Sequence, residues 1–175
     1  VPFEPPLYIN TIADLPANSG LASSSAFAVG LLYALHIMRG EDVSAAQLAE
    51  EACKVEIEKL WRPIGKQDQY AAAFGGLNLI MFHPNGSVTL DPISLGETDL
   101  KTLFRSSLIF WTGIQRDAAT ILTEQKQRIG STRTILTEMR DDAIRLRDLL
   151  RSGFELEQFG TLLDRNWRRK RELAS

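Results

Sequence analysis

The sequence predicts an α+β fold, and three observations carry that prediction. Stretches rich in β-branched and aromatic residues, bounded by Pro, Gly and Asn, lie in the first half of the chain. One of them reads as a hairpin: Leu77 to His83 outward, Pro84-Asn85-Gly86 as the turn, and Ser87 to Ile93 back. The second half carries apolar residues at helical spacing instead, so strands and helices segregate along the chain.

In order, Leu7 to Leu15 suits a strand, ended by the loop Pro16-Ala-Asn-Ser-Gly20. A helix is predicted from Ser24 to Met38, stopped by Gly40, and Ser44 caps a second from Ala45 to about Leu60. Arg62-Pro63-Ile64-Gly65 is a loop, and Gln67 to Phe74 is a short helix closed by Gly75-Gly76. After the hairpin, Ser107 to Thr112 predicts one more strand. Helical patterns then cover Asp117–Arg128, Ser131–Arg151 and Phe154–Arg171.

Composition narrows the function. The 175 residues are 44% hydrophobic and 24% charged, as in an ordinary globular domain. A net charge of −2 gives no electrostatic case for nucleic acid or an anionic membrane surface. No apolar run is long enough to span a bilayer, and the single cysteine, Cys53, cannot form an internal disulfide. A cytoplasmic protein is expected. Val1 is no initiator and the last helical pattern lacks a stop signal, so the chain reads as an internal fragment.

The stretch Pro16-Ala-Asn-Ser-Gly-Leu-Ala-Ser-Ser-Ser-Ala26 opens an apolar helix. A helix N-terminus presents unpaired N–H groups and partial positive charge. Gly20 allows a close backbone approach, and Ala22, Ser23 and Ser24 are too small to block it, so the mouth suits a phosphate. The simpler alternative is that Ser23 or Ser24 only caps the helix and the alanines allow tight packing. No Walker loop occurs anywhere in the chain.

On the second helix, Ala45, Leu48, Ala49, Ala52, Val55 and Leu60 share one arc, and Glu56 falls inside it. A carboxylate on a buried stripe needs a cation or another partner; Lys59, three residues on, is the simplest one. Asp68, read alone, is an acid in the first turn of a helix.

Together these residues resemble the GHMP kinases. The pattern Pro-x-x-x-Gly-Leu-Ala-Ser-Ser-Ser-Ala after a strand is similar to that superfamily's phosphate loop, with Ala22 where Gly is usual. The segment Pro63-Ile-Gly-Lys-Gln-Asp-Gln-Tyr-Ala-Ala-Ala-Phe-Gly-Gly-Leu-Asn78 and Phe110-Trp-Thr-Gly-Ile-Gln-Arg116 resemble its sugar branch, most of all the heptose 7-phosphate kinases. The resemblance implies an ATP- and Mg²⁺-dependent phosphotransferase acting on a sugar or sugar-phosphate hydroxyl. A fucose- or galactose-type kinase, or a binding fragment without catalysis, is the alternative.

By position, Pro16, Asn18, Ser19, Gly20, Leu21, Ala22, Ser23, Ser24 and Ser25 would form the nucleotide loop. Ser24 and Glu56 would ligate Mg²⁺, and Asp68 would be the catalytic base. Gln69, Tyr70, Thr112, Gly113 and Arg116 would face the sugar. The implied fold is that of the GHMP kinases: residues 1–103 in the N-terminal domain, 104–175 opening the C-terminal domain, with the site in a cleft between them. The family's first and third motifs are absent from this stretch, so the fragment alone is expected to be inactive. Oligomeric state is not legible.

The remaining polar residues have simpler readings. His36 and His83 lack partners at metal-site spacing, and Cys53 is a small core residue. Arg165-x-x-Arg-Arg-Lys-Arg171 reads as a solvated helix face.

Overall fold

The computed structural model describes residues 6–14, 20–111, 113 and 118–173. The elements are α1 (Ser23–Met38), α2 (Ala45–Cys53) continued by a π-helical segment (Lys54–Lys59), α3 (Gln67–Phe74), β1 (Asn78–Phe82), β2 (Val88–Pro92), α4 (Glu97–Arg105), α5 (Ala118–Ser152) and α6 (Leu156–Arg171). The fold is α+β and helix-rich, with one two-stranded antiparallel sheet among the described residues.

The hairpin forms where the turn chemistry puts it. Asn78 lies opposite Pro92 and Phe82 opposite Val88, with Gly86 at φ +84° in the turn. Ser44 caps α2 as expected, its hydroxyl accepting from the Gln47 N–H at 3.2 Å.

Two packed clusters hold the first half together. Val29 of α1 meets Leu48 and Ala52 of α2, and Leu32, Val43 and Ala73 close around them. On the other side, Ala49 and Cys53 meet Tyr70 of α3, with Ile57, Ile80, Val88 and Leu90 against them. The hairpin therefore covers α2 and α3, and α1 crosses their far side.

The second half is a helical pair. Asp142 of α5, only 3% exposed, accepts hydrogen bonds from Arg145 and from Arg165 and Arg169 of α6. Arg147 and Arg151 of α5 reach back to Asp91 of β2, tying the helix to the hairpin. The expected domain boundary after residue 103 falls inside α4.

Four expectations are corrected. Residues 7–14 form no strand, and neither do residues 107–111; Tyr8, Ile12, Ile109 and Phe110 are largely exposed. Strand pairing is non-local, and no other described segment pairs with either stretch. Strands do not dominate the first half, which is mostly helix. The two helices expected either side of Gly130 are one, because a single glycine costs a helix only about 1 kcal/mol. Arg165 and Arg169 are not a solvated face but grip Asp142.

Candidate functional site

The mouth of α1 is left open for an acceptor. Its N-cap residue, Ala22, sits in the left-handed region (φ 55°, ψ 25°), and no side chain among the described residues caps the helix. The simple capping role for Ser23 or Ser24 is therefore not what these hydroxyls do. No acid occupies the first turn either. Gly20, at φ +75°, turns the chain into this end with open space where a Cβ would stand. An uncapped N-terminus of this kind keeps its donors and its partial positive charge available to an anion.

Of the three serines, Ser25 faces inward. It is 2% exposed, and its hydroxyl donates to Glu56 Oε2 at 2.8 Å; Ser24 is exposed. Glu56 is 3% exposed, and Gln69 Nε2 donates to the same Oε2 at 2.6 Å. So Glu56 has neutral donors from α1 and α3 as partners, and Lys59 is not one of them among the described residues.

The helix changes locally at this carboxylate. From Lys54 the helix widens, with the Leu60 N–H bonded to the Val55 carbonyl five residues back at 2.9 Å. Glu56 stays on the buried side, where an ideal helix also places it, while Val55 (37% exposed) and Leu60 (58% exposed), both expected inside, turn out. Short π-helical segments recur at functional sites.

Asp68 occupies the first turn of α3 and is exposed, with no hydrogen bond or ion pair among the described residues. Its neighbours are inside. Gln69 is fully buried, and Tyr70, 4% exposed, stacks on Phe74 and meets Phe82 edge-on. Gln69 Oε1 is buried without any hydrogen-bond partner among the described residues. Hence Glu56 and Ser25 converge directly, and Asp68 joins them only through its chain neighbour Gln69.

Ser25 Oγ, the Glu56 carboxylate and Gln69 Oε1 are oxygen donors, the chemistry that suits a hard cation such as Mg²⁺. Among the described residues no three His, Cys, Asp or Glu gather into a metal cluster. One carboxylate is compatible with a metal that completes its shell with water and phosphate.

Gly113 is exposed at φ +72°. Pro16, Asn18, Ser19, Thr112 and Arg116 lie outside the described residues. Beside the site, a groove of about 210 Å³ runs between the π segment, Lys66, Tyr70 and Gly86, with Cys53 in its wall. Burial pushes the Cys53 thiol up to about 11, so it is an unreactive core group. Sequence reasoning missed α4, although Glu97 and Asp99 in its first turn and a Glu97–Lys101 pair were there to read. It also missed the clamp on His36, whose ring nitrogens each lie 2.7 Å from a carboxylate, Glu41 and Glu51. No helix among the described residues is long and apolar enough to cross a membrane.

Comparison with known proteins gives four findings. Residues 2–76 match the GHMP kinases N terminal domain. The chain is 31% identical over 171 residues to a D-glycero-alpha-D-manno-heptose 7-phosphate kinase of Campylobacter jejuni, covering 95% of this chain and 49% of that protein. It is 31% identical over 117 residues to a galactokinase of Pyrococcus furiosus, covering 67% of this chain and 32% of that one. The fold matches the crystal structure of a D-glycero-D-manno-heptose 1-phosphate kinase from Bacteroides thetaiotaomicron, with TM-score 0.73 and 26% identity. That match covers 91% of this chain and 46% of the other. The chain thus spans about half the length, or less, of the proteins it matches.

Proposed function

Residues 2–76 belong to the GHMP kinase N-terminal domain, and from that premise we propose that the whole protein transfers a phosphoryl group from ATP to a hydroxyl of a heptose phosphate. The observation that carries this reading is the buried Ser25–Glu56–Gln69 knot beside the uncapped mouth of α1. A phosphate-accepting helix end and an inward carboxylate from a neighbouring helix are what phosphoryl transfer needs, since its catalysis is mostly positioning and charge stabilisation.

In this reading the N–H groups of Ser23, Ser24 and Ser25 hold the nucleotide phosphates, with the exposed Ser24 hydroxyl adding a donor. Ser25, rather than the Ser24 that the resemblance implies, would hold Mg²⁺ together with Glu56, since it is Ser25 that meets this carboxylate, and the ion would neutralise phosphate charge. The Asp68 carboxylate accepts the proton of the sugar hydroxyl as that oxygen bonds to phosphorus and the bond to the departing ADP breaks. Residues 1–103 supply this half of the site. Residues from 104 on open a second domain that closes over the sugar, with Thr112, Gly113 and Arg116 toward its anionic end. Such a kinase would work in the cytoplasm, where ATP is.

Relatives named for heptose 7-phosphate, heptose 1-phosphate and galactose leave the acceptor to be measured. Full-length protein should be assayed for ADP release against heptose 7-phosphate, heptose 1-phosphate, galactose and fucose. A kcat/KM at least tenfold higher on a heptose phosphate is expected. Preference for a free hexose would overturn the substrate, and no ADP release above the solvent rate with any sugar would overturn the kinase reading.

A further inference from the structure

Gln69 combines two features that a sugar-facing residue would not have. Its side chain is fully buried, and its amide nitrogen is committed to Glu56 Oε2 at 2.6 Å. Its amide oxygen, Oε1, has no partner. An unpartnered buried polar atom is costly, and such atoms in folded proteins are rare. The two amide atoms share one carbon, so the orphan oxygen lies beside the Glu56 carboxylate and not in a separate compartment.

The assignment of nitrogen and oxygen is fixed by chemistry. Were the amide turned over, its oxygen would face a carboxylate oxygen at 2.6 Å, two acceptors in contact with no proton between them. Nor does any described residue satisfy Oε1. Ser25 already spends its only hydroxyl proton on Glu56. Asp68, the adjacent residue, offers a carboxylate and faces outward.

We propose that Gln69 is a positioning residue of the Mg²⁺·nucleotide site: its amide N–H locks Glu56, and its free oxygen accepts from a water of the cation's shell. This rests on the kinase reading above. It departs from the sugar contact that the sequence resemblance implies for this residue. A hydrated Mg²⁺ keeps several waters whose protons need acceptors, and outer-shell partners of this kind typically change metal affinity 10–100-fold when removed.

The test uses full-length protein and reads two quantities. The first is the Mg²⁺ concentration that gives half of the Mg²⁺-dependent rise in melting temperature at fixed ATP. The second is the KM for the sugar. For Gln69→Leu, which keeps the bulk and removes both polar atoms, half-saturation should need about tenfold more Mg²⁺, with sugar KM within twofold of wild type. Gln69→Asn, which keeps the amide but shortens its reach, serves if the leucine variant does not fold; at the same pH it too should need several-fold more Mg²⁺ for half-saturation, with sugar KM unchanged. A raised sugar KM with unchanged Mg²⁺ dependence, or a lower melting temperature with both quantities unmoved, overturns the proposal. If the wild type shows neither Mg²⁺·ATP stabilisation nor sugar phosphorylation, the kinase reading itself has failed and this inference falls with it.

Discussion

Replacing Ser25 by alanine, with Ser24→Ala as its control, separates two adjacent serines that the sequence cannot tell apart. Ser25 Oγ donates to Glu56 Oε2 at 2.8 Å, and both side chains are at most 3% exposed. A hydrogen bond to a carboxylate in such surroundings contributes about 1.5–3 kcal/mol, because the acceptor loses a donor that water cannot replace. Gln69 still serves the same oxygen, which places the expected loss for Ser25→Ala near the middle, at about 2 kcal/mol. Ser24 is exposed and contributes no cap, so its removal should change stability by no more than about 0.5 kcal/mol. Urea unfolding of full-length protein at equal ionic strength, without nucleotide, reads both values. If Ser24→Ala costs as much as Ser25→Ala, or if Ser25→Ala costs under 0.5 kcal/mol, the pairing drawn here is wrong.

Four other outcomes are expected. Ala22→Gly should stabilise by about 0.5 kcal/mol, since relief of a left-handed alanine (about 1 kcal/mol) exceeds the added freedom of the unfolded chain; a loss of 1 kcal/mol in the same urea assay refutes it. Hydrogen bonds to Glu51 and then to Glu41, which accept from the ring, raise the His36 pKa above 6.5. The folded chain therefore holds that proton more tightly, and this stability is complete below pH 6.5 and lost as pH rises through the raised value. Melting temperature should show that slope in the wild type and lack it in His36→Gln; equal slopes refute the clamp. Burial works to raise the Asp142 pKa, but Arg165 and then Arg169 and Arg145 outweigh it, so the net shift is downward. Stability from Asp142 is present above about pH 4 and lost as pH falls through the lowered value, and Asp142→Asn should cost about 2 kcal/mol at pH 7, read by chemical unfolding; a loss under 0.5 kcal/mol removes the clamp from the α5–α6 account. Finally, Asp68→Asn in full-length enzyme should lower kcat by about 10²–10⁴ if it takes the proton, and near-normal turnover would end that role.

What was legible followed from local punctuation. Gly40, Ser44, Gly75-Gly76 and Pro84-Asn85-Gly86 each act within a few residues of themselves, so α1, α2, α3 and the hairpin fell where they were placed. The buried stripe also singled out Glu56 correctly as an inward carboxylate. Its partners were not legible, because a helix wheel reads one helix and they lie on α1 and α3. Val55 and Leu60 were placed inside because the wheel assumes a constant turn angle, which the π segment breaks. Residues 7–14 and 107–111 carry strand-like composition, but composition reports a wish for burial, and no described segment pairs with either. Arg165 and Arg169 misled for the opposite reason: charge suggests solvent until a buried acid such as Asp142 is known to face it.

The site shows its nature most clearly in where the chain departs from local optimality. Ala22 adopts a conformation that costs about 1 kcal/mol. Gln69 leaves a buried oxygen unpaired at about 1–3 kcal/mol. Between them the helix carrying Glu56 gives up regular i→i+4 bonding. By contrast α2 begins with an ordinary serine cap, and the hairpin turn has the residues its geometry wants. Trp61 (φ 53°) and the unpartnered Asn166 Oδ1 carry costs of the same kinds elsewhere, so no single one marks a site; these three differ in meeting around one carboxylate at one helix mouth. Local rules are broken where function requires it and compensated elsewhere. A bound cation and phosphate would offset the last two directly, by giving Glu56 a charge to face and Gln69 Oε1 a donor. Nucleotide-linked stabilisation should accordingly be larger in the wild type than in Gln69→Leu, beyond what the difference in unliganded stability accounts for.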